Sequence, residues 1–344
     1  MEENCKIAIV GCGAIANVHL KTLKKMSGLK VVAVCDNDEE KAILASTKFN
    51  TRHYTDFSKM LDNEDVSIVS ILTPPRSHAL LTIEAIKRGI NVLVEKPLAA
   101  TTKEAELILS ALNESDAKMT VDHSWLFHKT MLQSLSLIRK HEIGEILRME
   151  IKYLHTGKDH MTSDPNHWCH KLLGGRFGEN LPHPVYTMQS VLGDNLQVKE
   201  VHASKRGRYP WMPYDELFVT LQSDKSLGSI YVSFNAARST IYVDIYGTKK
   251  ILKINLFNNT AIKLGYRRTR KLYKGADSLW LSSKMALSTM RNAFEFLLHG
   301  DSEEIFRNLY TMFIDAIKKN TDPPVTSKMA YNTVRIVEEI CQCL

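Results

Sequence analysis

Long apolar runs are missing from this sequence; the longest, such as Val66 to Leu72, are interrupted by Ser. Nothing approaches the about 20 apolar residues that a membrane-spanning helix needs, so no membrane partner is expected. Cysteine is scarce and scattered. Cys5, Cys12, Cys35, Cys169, Cys341 and Cys343 form no disulfide framework, and three of them sit in or beside apparent core strands, where a thiol behaves as a small hydrophobe. Cys341 and Cys343 have no second pair with which to complete a tetrahedral zinc site, so no metal is expected. The start, Met1-Glu2-Glu3-Asn4, lacks a basic leader and a small-residue cleavage site, which reads as cytoplasmic. Internal repeats and low-complexity segments are absent too. A large excess of one charge sign is also lacking: 45 Lys+Arg face 38 Asp+Glu, and with 44% hydrophobic residues this excludes a disordered or fibrous chain. One basic cluster, Arg267, Arg268, Arg270, Lys271 and Lys274 with Tyr266 and Tyr273, has no nucleic-acid motif beside it. It reads as a solvated loop, and no nucleic-acid partner is expected.

At roughly 150 residues per domain, 344 residues suggest two domains. Residues 1–122 alternate apolar runs (Cys5 to Val10, Val31 to Cys35, Val66 to Leu72, Val92 to Val94, Met119 to Val121) with helical stretches (Ala14 to Met26, Asp38 to Lys48, His78 to Arg88, Thr102 to Asn113). Alternation of this kind predicts an α/β fold, a Rossmann-type doubly wound parallel sheet. Residues 123–344 change pattern. Leu147, Met149, Ile151 and Tyr153 alternate with charged residues, and period-2 segments return at Leu217 to Leu221, Ser229 to Phe234, Ile241 to Ile245 and Ile251 to Leu256. They predict an α+β domain built on a largely antiparallel, open-faced sheet. Two helices close the chain, with stripes Ile305, Leu309, Met312, Phe313, Ile317 and Ala330, Val334, Val337, Cys341, Leu344, and these can pack back on the first domain.

Three clusters carry chemistry. Gly11-x-Gly13-x-x-Ala16 follows the first strand and opens the first helix, so Gly11 permits the tight turn and Gly13 a close approach of pyrophosphate to backbone donors, with Ala14 and Ile15 between. Asp36 stands 20 residues after Ala16 at a strand end, where a carboxylate accepts ribose hydroxyls. Asn37, Asp38, Glu39 and Glu40 follow, so a 2′-phosphate would meet carboxylates; NAD is expected and NADP disfavoured. Beyond later strand ends come Thr73, Pro74 and His78, then Glu95, Lys96 and Pro97, over the crevice where such sheets bind ligands. Lys96 is a candidate electrophile or proton relay. The third cluster runs from Gly174 to His183. A helix starting near Leu181 puts His183 in its first turn with Glu179 just before it, a carboxylate-oriented candidate base. His167 and His170, spaced like zinc ligands around Trp168 and Cys169, read as pocket or loop residues.

In this order the three clusters resemble the glucose-fructose oxidoreductase and inositol dehydrogenase family, also called Gfo/Idh/MocA, and the Tyr246-Gly247-Thr248-Lys249 turn is similar as well. The resemblance covers the whole chain. It implies a nicotinamide-dependent oxidoreductase, often of sugars or cyclitols, whose open sheet commonly builds a homo-oligomer, a dimer or tetramer. It also implies that Lys96 and His183 are the catalytic Lys and His. Where the family usually has Asp four residues before the His, this chain has Glu179, one methylene longer, and Asn180 is placed to share its contact. After Asp122 and His123, many members carry an Arg before the aromatic residue; this chain has Leu126 before Phe127. The expected reaction is hydride transfer between a secondary alcohol of a sugar, cyclitol or sugar nucleotide and NAD. His183 takes the proton, Glu179 fixes the imidazole and Lys96 stabilises the alkoxide, with His123, His167, Trp168, Arg176 and Asn180 as substrate contacts. Two other readings stay open: a family-like sensor without turnover, and a glycosidase-type lyase that uses NAD without net consumption.

Overall fold

The computed structural model describes residues 5–265 and 301–344, together with 279, 282–283, 286–287 and 289–290; the basic cluster between 266 and 274 lies outside the described residues. The chain divides into two units: Met1–Ser124 with Asp301–Arg335, and Trp125–Gly300 with Ile336–Leu344.

In the first unit, β1 (Cys5–Val10), β2 (Leu29–Cys35), β3 (Arg52–Tyr54), β4 (Ile68–Ile71), β5 (Asn91–Glu95) and β6 (Met119–Asp122) form one sheet in the order β3-β2-β1-β4-β5-β6. All its pairs are parallel. The chain therefore leaves β1 toward one side and returns to its other side at β4, and the C-terminal ends of these neighbours open a crevice at the reversal. Ile7, Ile9, Ile68, Val69, Val92 and Val94 are buried because crossover helices cover both faces of such a sheet. Some of the crossover helices begin with side-chain caps. Asp38 accepts the Lys41 N–H ahead of helix Glu39–Phe49, and Thr101 and Glu104 form a capping box on helix Thr102–Asn113. Strand β3 and helix Phe57–Asn63 escaped the sequence reading; the strand has three residues, none buried, and so no apolar run.

Helix Asp301–Lys319 belongs to this unit, and its buried face corrects the expected stripe: Phe306, Leu309, Tyr310, Phe313 and Ile314 are buried, whereas Met312 is 40% exposed. Tyr310 is the reason. Its hydroxyl lies 2.9 Å from His19 Nδ1 and 2.9 Å from Ser70 Oγ, so a residue with a polar tip enters the core with that tip satisfied. His19 Nε2 lies 3.4 Å from Asp122, and its ring packs on Phe306 with centroids 4.2 Å apart.

The second unit holds a sheet in the order β13-β12-β11-β7-β10-β9-β8, from β7 (Ile146–Leu154), β8 (Gln197–Ser204), β9 (Glu216–Gln222), β10 (Leu227–Ser233), β11 (Thr240–Gly247), β12 (Lys250–Asn255) and β13 (Thr260–Gly265). Only the β7/β10 pair is parallel. Met149, Ile151, Val219, Ile230, Val243 and Leu252 are buried on one face, against which helix Pro182–Leu192 packs. The period-2 reading holds except at the strand start, where Leu147 is 54% exposed. On the opposite face Phe218, Tyr231, Lys152 and Tyr242 share one cross-strand row. No helix among the described residues is long and apolar enough to cross a membrane.

Candidate active site

The glycine loop of the first unit is shaped by a steric limit. Gly11 follows β1 at φ +91°, and a Cβ there would lie 2.7 Å from the Leu72 carbonyl oxygen, so only glycine fits. Gly13 is the N-cap of helix Ala14–Lys24, and a Cβ built on it meets nothing within 4 Å. Gly13 and Ala14 are exposed, so this helix start is open to an anionic pyrophosphate. Ala16 is buried against the sheet.

Asp36 joins this loop to the next. One carboxylate oxygen accepts the Cys12 N–H at 2.7 Å and the other accepts the Asp38 N–H at 3.0 Å, so the group is oriented before any ligand arrives. Each oxygen keeps a lone pair, and a carboxylate so fixed suits a pair of ribose hydroxyls and repels a 2′-phosphate. Asn37 is exposed beside it. The Cys12 thiol is pushed up to about 12, by burial first and the Asp36 charge second, so this loop cysteine stays protonated and inert.

Thr73 and Pro74 follow β4, and the Thr73 hydroxyl accepts the Ser77 hydroxyl at 2.7 Å. His78, expected over the crevice as a cofactor contact, is turned into the protein instead. It is fully buried, with Nδ1 2.7 Å from the Pro97 carbonyl and Nε2 2.7 Å from the Thr73 carbonyl. Burial holds it below the usual imidazole range although both carbonyls pull the other way. The ring ties the Thr73 segment to the Glu95-Lys96-Pro97 segment at the end of β5, where the Lys96 N–H donates to the Glu95 carboxylate. His123, next to β6, is 1% exposed and pushed down to about 3 by burial, hence neutral.

In the second unit the glycine run serves close packing. Gly174 has φ +72°, and a Cβ there would come within 2.3 Å of the Cys341 Sγ. The chain then enters helix Arg176–Asn180 and, directly after, helix Pro182–Leu192, with Pro182 in its tolerated first turn. His183 follows, half-buried, its Nδ1 2.8 Å from the Tyr186 hydroxyl. The Trp125 indole stacks on the imidazole at 4.9 Å and 14°, and Tyr153 meets it edge-on at 6.3 Å.

Arg176 is 5% exposed and bound on all sides. It pairs with Glu179 and the Asn180 side-chain carbonyl, donates to Thr162 Oγ1 at 3.1 Å, lies 3.4 Å from Asp159, and covers the Phe234 ring at 5.3 Å. Asn180 Nδ2 in turn donates to His155 Nε2 at 3.1 Å. Accepting there requires an unprotonated nitrogen, and burial, with Arg176 second, pushes His155 down to about 4. Tyr153 is pushed up, by burial first. His167 accepts the Cys169 N–H at 3.4 Å, and its ring meets Trp168, which is 38% exposed.

The structure therefore brings Glu179, Asn180 and Arg176 into one cluster, and surrounds His183 with Trp125, Tyr153 and Tyr186. Of these three, only Tyr186, one helical turn after His183, had a signal in the sequence. Trp125, Tyr153 and His155 come from distant segments.

Comparisons with known proteins identify the family. Residues 5–123 match an oxidoreductase family with an NAD-binding Rossmann fold, and residues 131–253 match the GFO/IDH/MocA C-terminal domain. Oxidoreductase P35 of Formosa agariphila is 27% identical over 58% of this chain and 64% of its own length, so less than two thirds of that relative is spanned. Inositol 2-dehydrogenase of Salmonella typhimurium is 23% identical over 75% of this chain and 76% of its own length. The solved structure of the WlbA dehydrogenase of Bordetella pertussis, in complex with NADH and UDP-GlcNAcA, superposes with a TM-score of 0.80 at 15% identity, covering 100% of this chain and 97% of that one. At that identity the likeness is one of fold.

Proposed function

The chain belongs to the GFO/IDH/MocA family of NAD-binding oxidoreductases, and from that premise we propose that it interconverts a secondary alcohol of a sugar, cyclitol or sugar nucleotide with the matching ketone. The loop from Gly11 to Ala16, Asp36, Asn37, Thr73, Pro74, Glu95 and Lys96 would hold NAD, and the fixed Asp36 carboxylate with Asp38, Glu39 and Glu40 behind it favours NAD over NADP. When bound, the dinucleotide supplies a hydride acceptor at its nicotinamide. In alcohol oxidation His183 takes the hydroxyl proton, and the Lys96 ammonium stabilises negative charge on the substrate oxygen. Glu179, oriented by Arg176, supplies the carboxylate that favours the imidazolium, with Asn180 fastened beside it.

The observation that carries this reading is His183: a half-buried imidazole at the start of a helix, its Nδ1 2.8 Å from the Tyr186 hydroxyl and its ring walled by aromatic rings. The names of relatives that act on inositol or were solved with a sugar nucleotide support the substrate class. A screen of sugars, cyclitols and sugar nucleotides for NADH formation tests it. His183→Ala should lower turnover about 10² to 10⁴-fold with NAD affinity kept, the range of a lost general base. Near-normal turnover in that variant refutes the base. Cleavage of a glycosidic bond without NADH release would make the protein a lyase, and binding with neither would make it a sensor. The open sheet face, where Phe218 is 40% and Tyr242 42% exposed, supports a homo-oligomer, which light scattering reads directly.

A further inference from the structure

The geometry points to His155 as a substrate contact, its side chain presenting a fixed Nδ1–H donor to a hydroxyl oxygen of the substrate. The inference rests on reading the second unit as the binder of a sugar, cyclitol or sugar nucleotide. His155 directly follows β7, and its backbone continues the sheet: its N–H donates to the Ser233 carbonyl at 2.7 Å and its carbonyl accepts the Ala236 N–H at 2.9 Å. The ring is held by two others. Phe234 stacks on it at 5.5 Å and 20°, and Tyr153 lies 4.4 Å away. Tyr153 is also the ring that meets His183 edge-on, so His155 stands one aromatic ring from the candidate base.

The neighbours of His155 fix which of its nitrogens carries the proton. A guanidinium only donates, so the Asn180 atom that Arg176 meets is the carbonyl oxygen, and the amide nitrogen is the atom left for His155. An amide nitrogen also only donates. His155 Nε2, 3.1 Å from it, therefore accepts, and a neutral ring that accepts at Nε2 carries its hydrogen on Nδ1. Turning the amide over would set its NH2 group against the guanidinium, which Glu179, Asp159 and Thr162 hold in place. The other edge of the ring is open. His155 is half-buried, and its Nδ1 is neither hydrogen-bonded nor sealed in among the described residues. A fixed donor without a protein partner suits an acceptor oxygen of a ligand. Because the Arg176 charge is paired with Glu179 and Asp159, this corner offers a neutral donor, which matches a hydroxyl rather than a carboxylate or phosphate. Asn180 and Arg176, expected to touch substrate themselves, are thus positioning residues that act through His155.

The test is NMR of the full chain with NAD added and 15N-labelled histidine, the His155 signals being those lost in His155→Asn. At pH 7 the Nδ1–H form should dominate. Asn180→Asp, which puts a carboxylate oxygen at Nε2, should convert it to the Nε2–H form or the imidazolium, a change that a merely structural Asn180 would not produce. myo-Inositol, D-glucose and UDP-glucose are then added in turn, and at least one should shift the Nδ1–H signal. With that compound as substrate, His155→Phe should raise KM about 5- to 10-fold with kcat little changed, the loss of one neutral hydrogen bond. His155→Asn, whose amide nitrogen stands where Nδ1 does, should keep most of the affinity. A dominant Nε2–H form in the unmodified chain overturns the proposal whether or not the variants fold, and so does an Nδ1–H signal that none of the three compounds moves. An unchanged KM in a folded His155→Phe overturns it too. A shift without turnover, or near-normal turnover in His183→Ala, keeps the contact and overturns the reading of the reaction instead.

Discussion

Arg176→Met separates a structural cation from one that faces a substrate. The guanidinium is 5% exposed, and its partner Glu179 is 13% exposed in its side chain. Removing the cation breaks this largely buried ion pair, which costs about 3–5 kcal/mol. Asp159 adds little, because at 3.4 Å and 38% exposure water screens it. The hydrogen bonds to Thr162 and Asn180 are each worth about 1 kcal/mol, but they belong to the same cluster and are not added to the total. Methionine fills most of the aliphatic volume over Phe234, so the loss is mainly electrostatic. Urea unfolding with a probe in the second unit should show a destabilisation of about 3–5 kcal/mol. Adding Glu179→Gln to Arg176→Met should restore part of it, because the buried pair is then removed as a whole. A single variant within about 1 kcal/mol of the unmodified protein would refute this account and return Arg176 to the role of an adaptable substrate contact.

Two more expectations follow from the same geometry. Calorimetry should find NAD bound more tightly than NADP, and Asp36→Ala should weaken NAD while narrowing the preference; tighter NADP binding in the unmodified protein refutes the role of Asp36. Acid should weaken the fold early. His128 and His155 are held down to about 4 and His123 to about 3, all by burial, while in the unfolded chain they titrate near pH ~6.5. Below that pH the unfolded state binds protons that the native state refuses, so stability should fall as pH drops from about 6.5 toward 4 and is fully present above it. Urea midpoints at pH 7, 5 and 4 check this, and a flat profile would contradict the buried, neutral state of these rings.

What the sequence alone determined is whatever has a local cause. Gly11, Gly13 and Asp36 were legible because the turn, the helix start and the strand end lie within one βαβ stretch. The alternation of β7 and its neighbours was legible because one face is wet. Strand β8 was not, since it lies at the sheet edge and its burial alternates only between intermediate and exposed. Tertiary structure decided the rest, and it did so by choosing partners for polar atoms. Tyr310 takes the core position expected of Met312 because His19 and Ser70, 291 and 240 residues away, satisfy its hydroxyl. Arg176 turns inward because Asp159, Thr162 and Phe234 meet it from other segments. Trp125 reaches His183 and Tyr186 across about 60 residues of chain. A buried donor or acceptor must be satisfied somewhere, but nothing in its own neighbourhood of sequence says by whom, and only the closed fold supplies the answer.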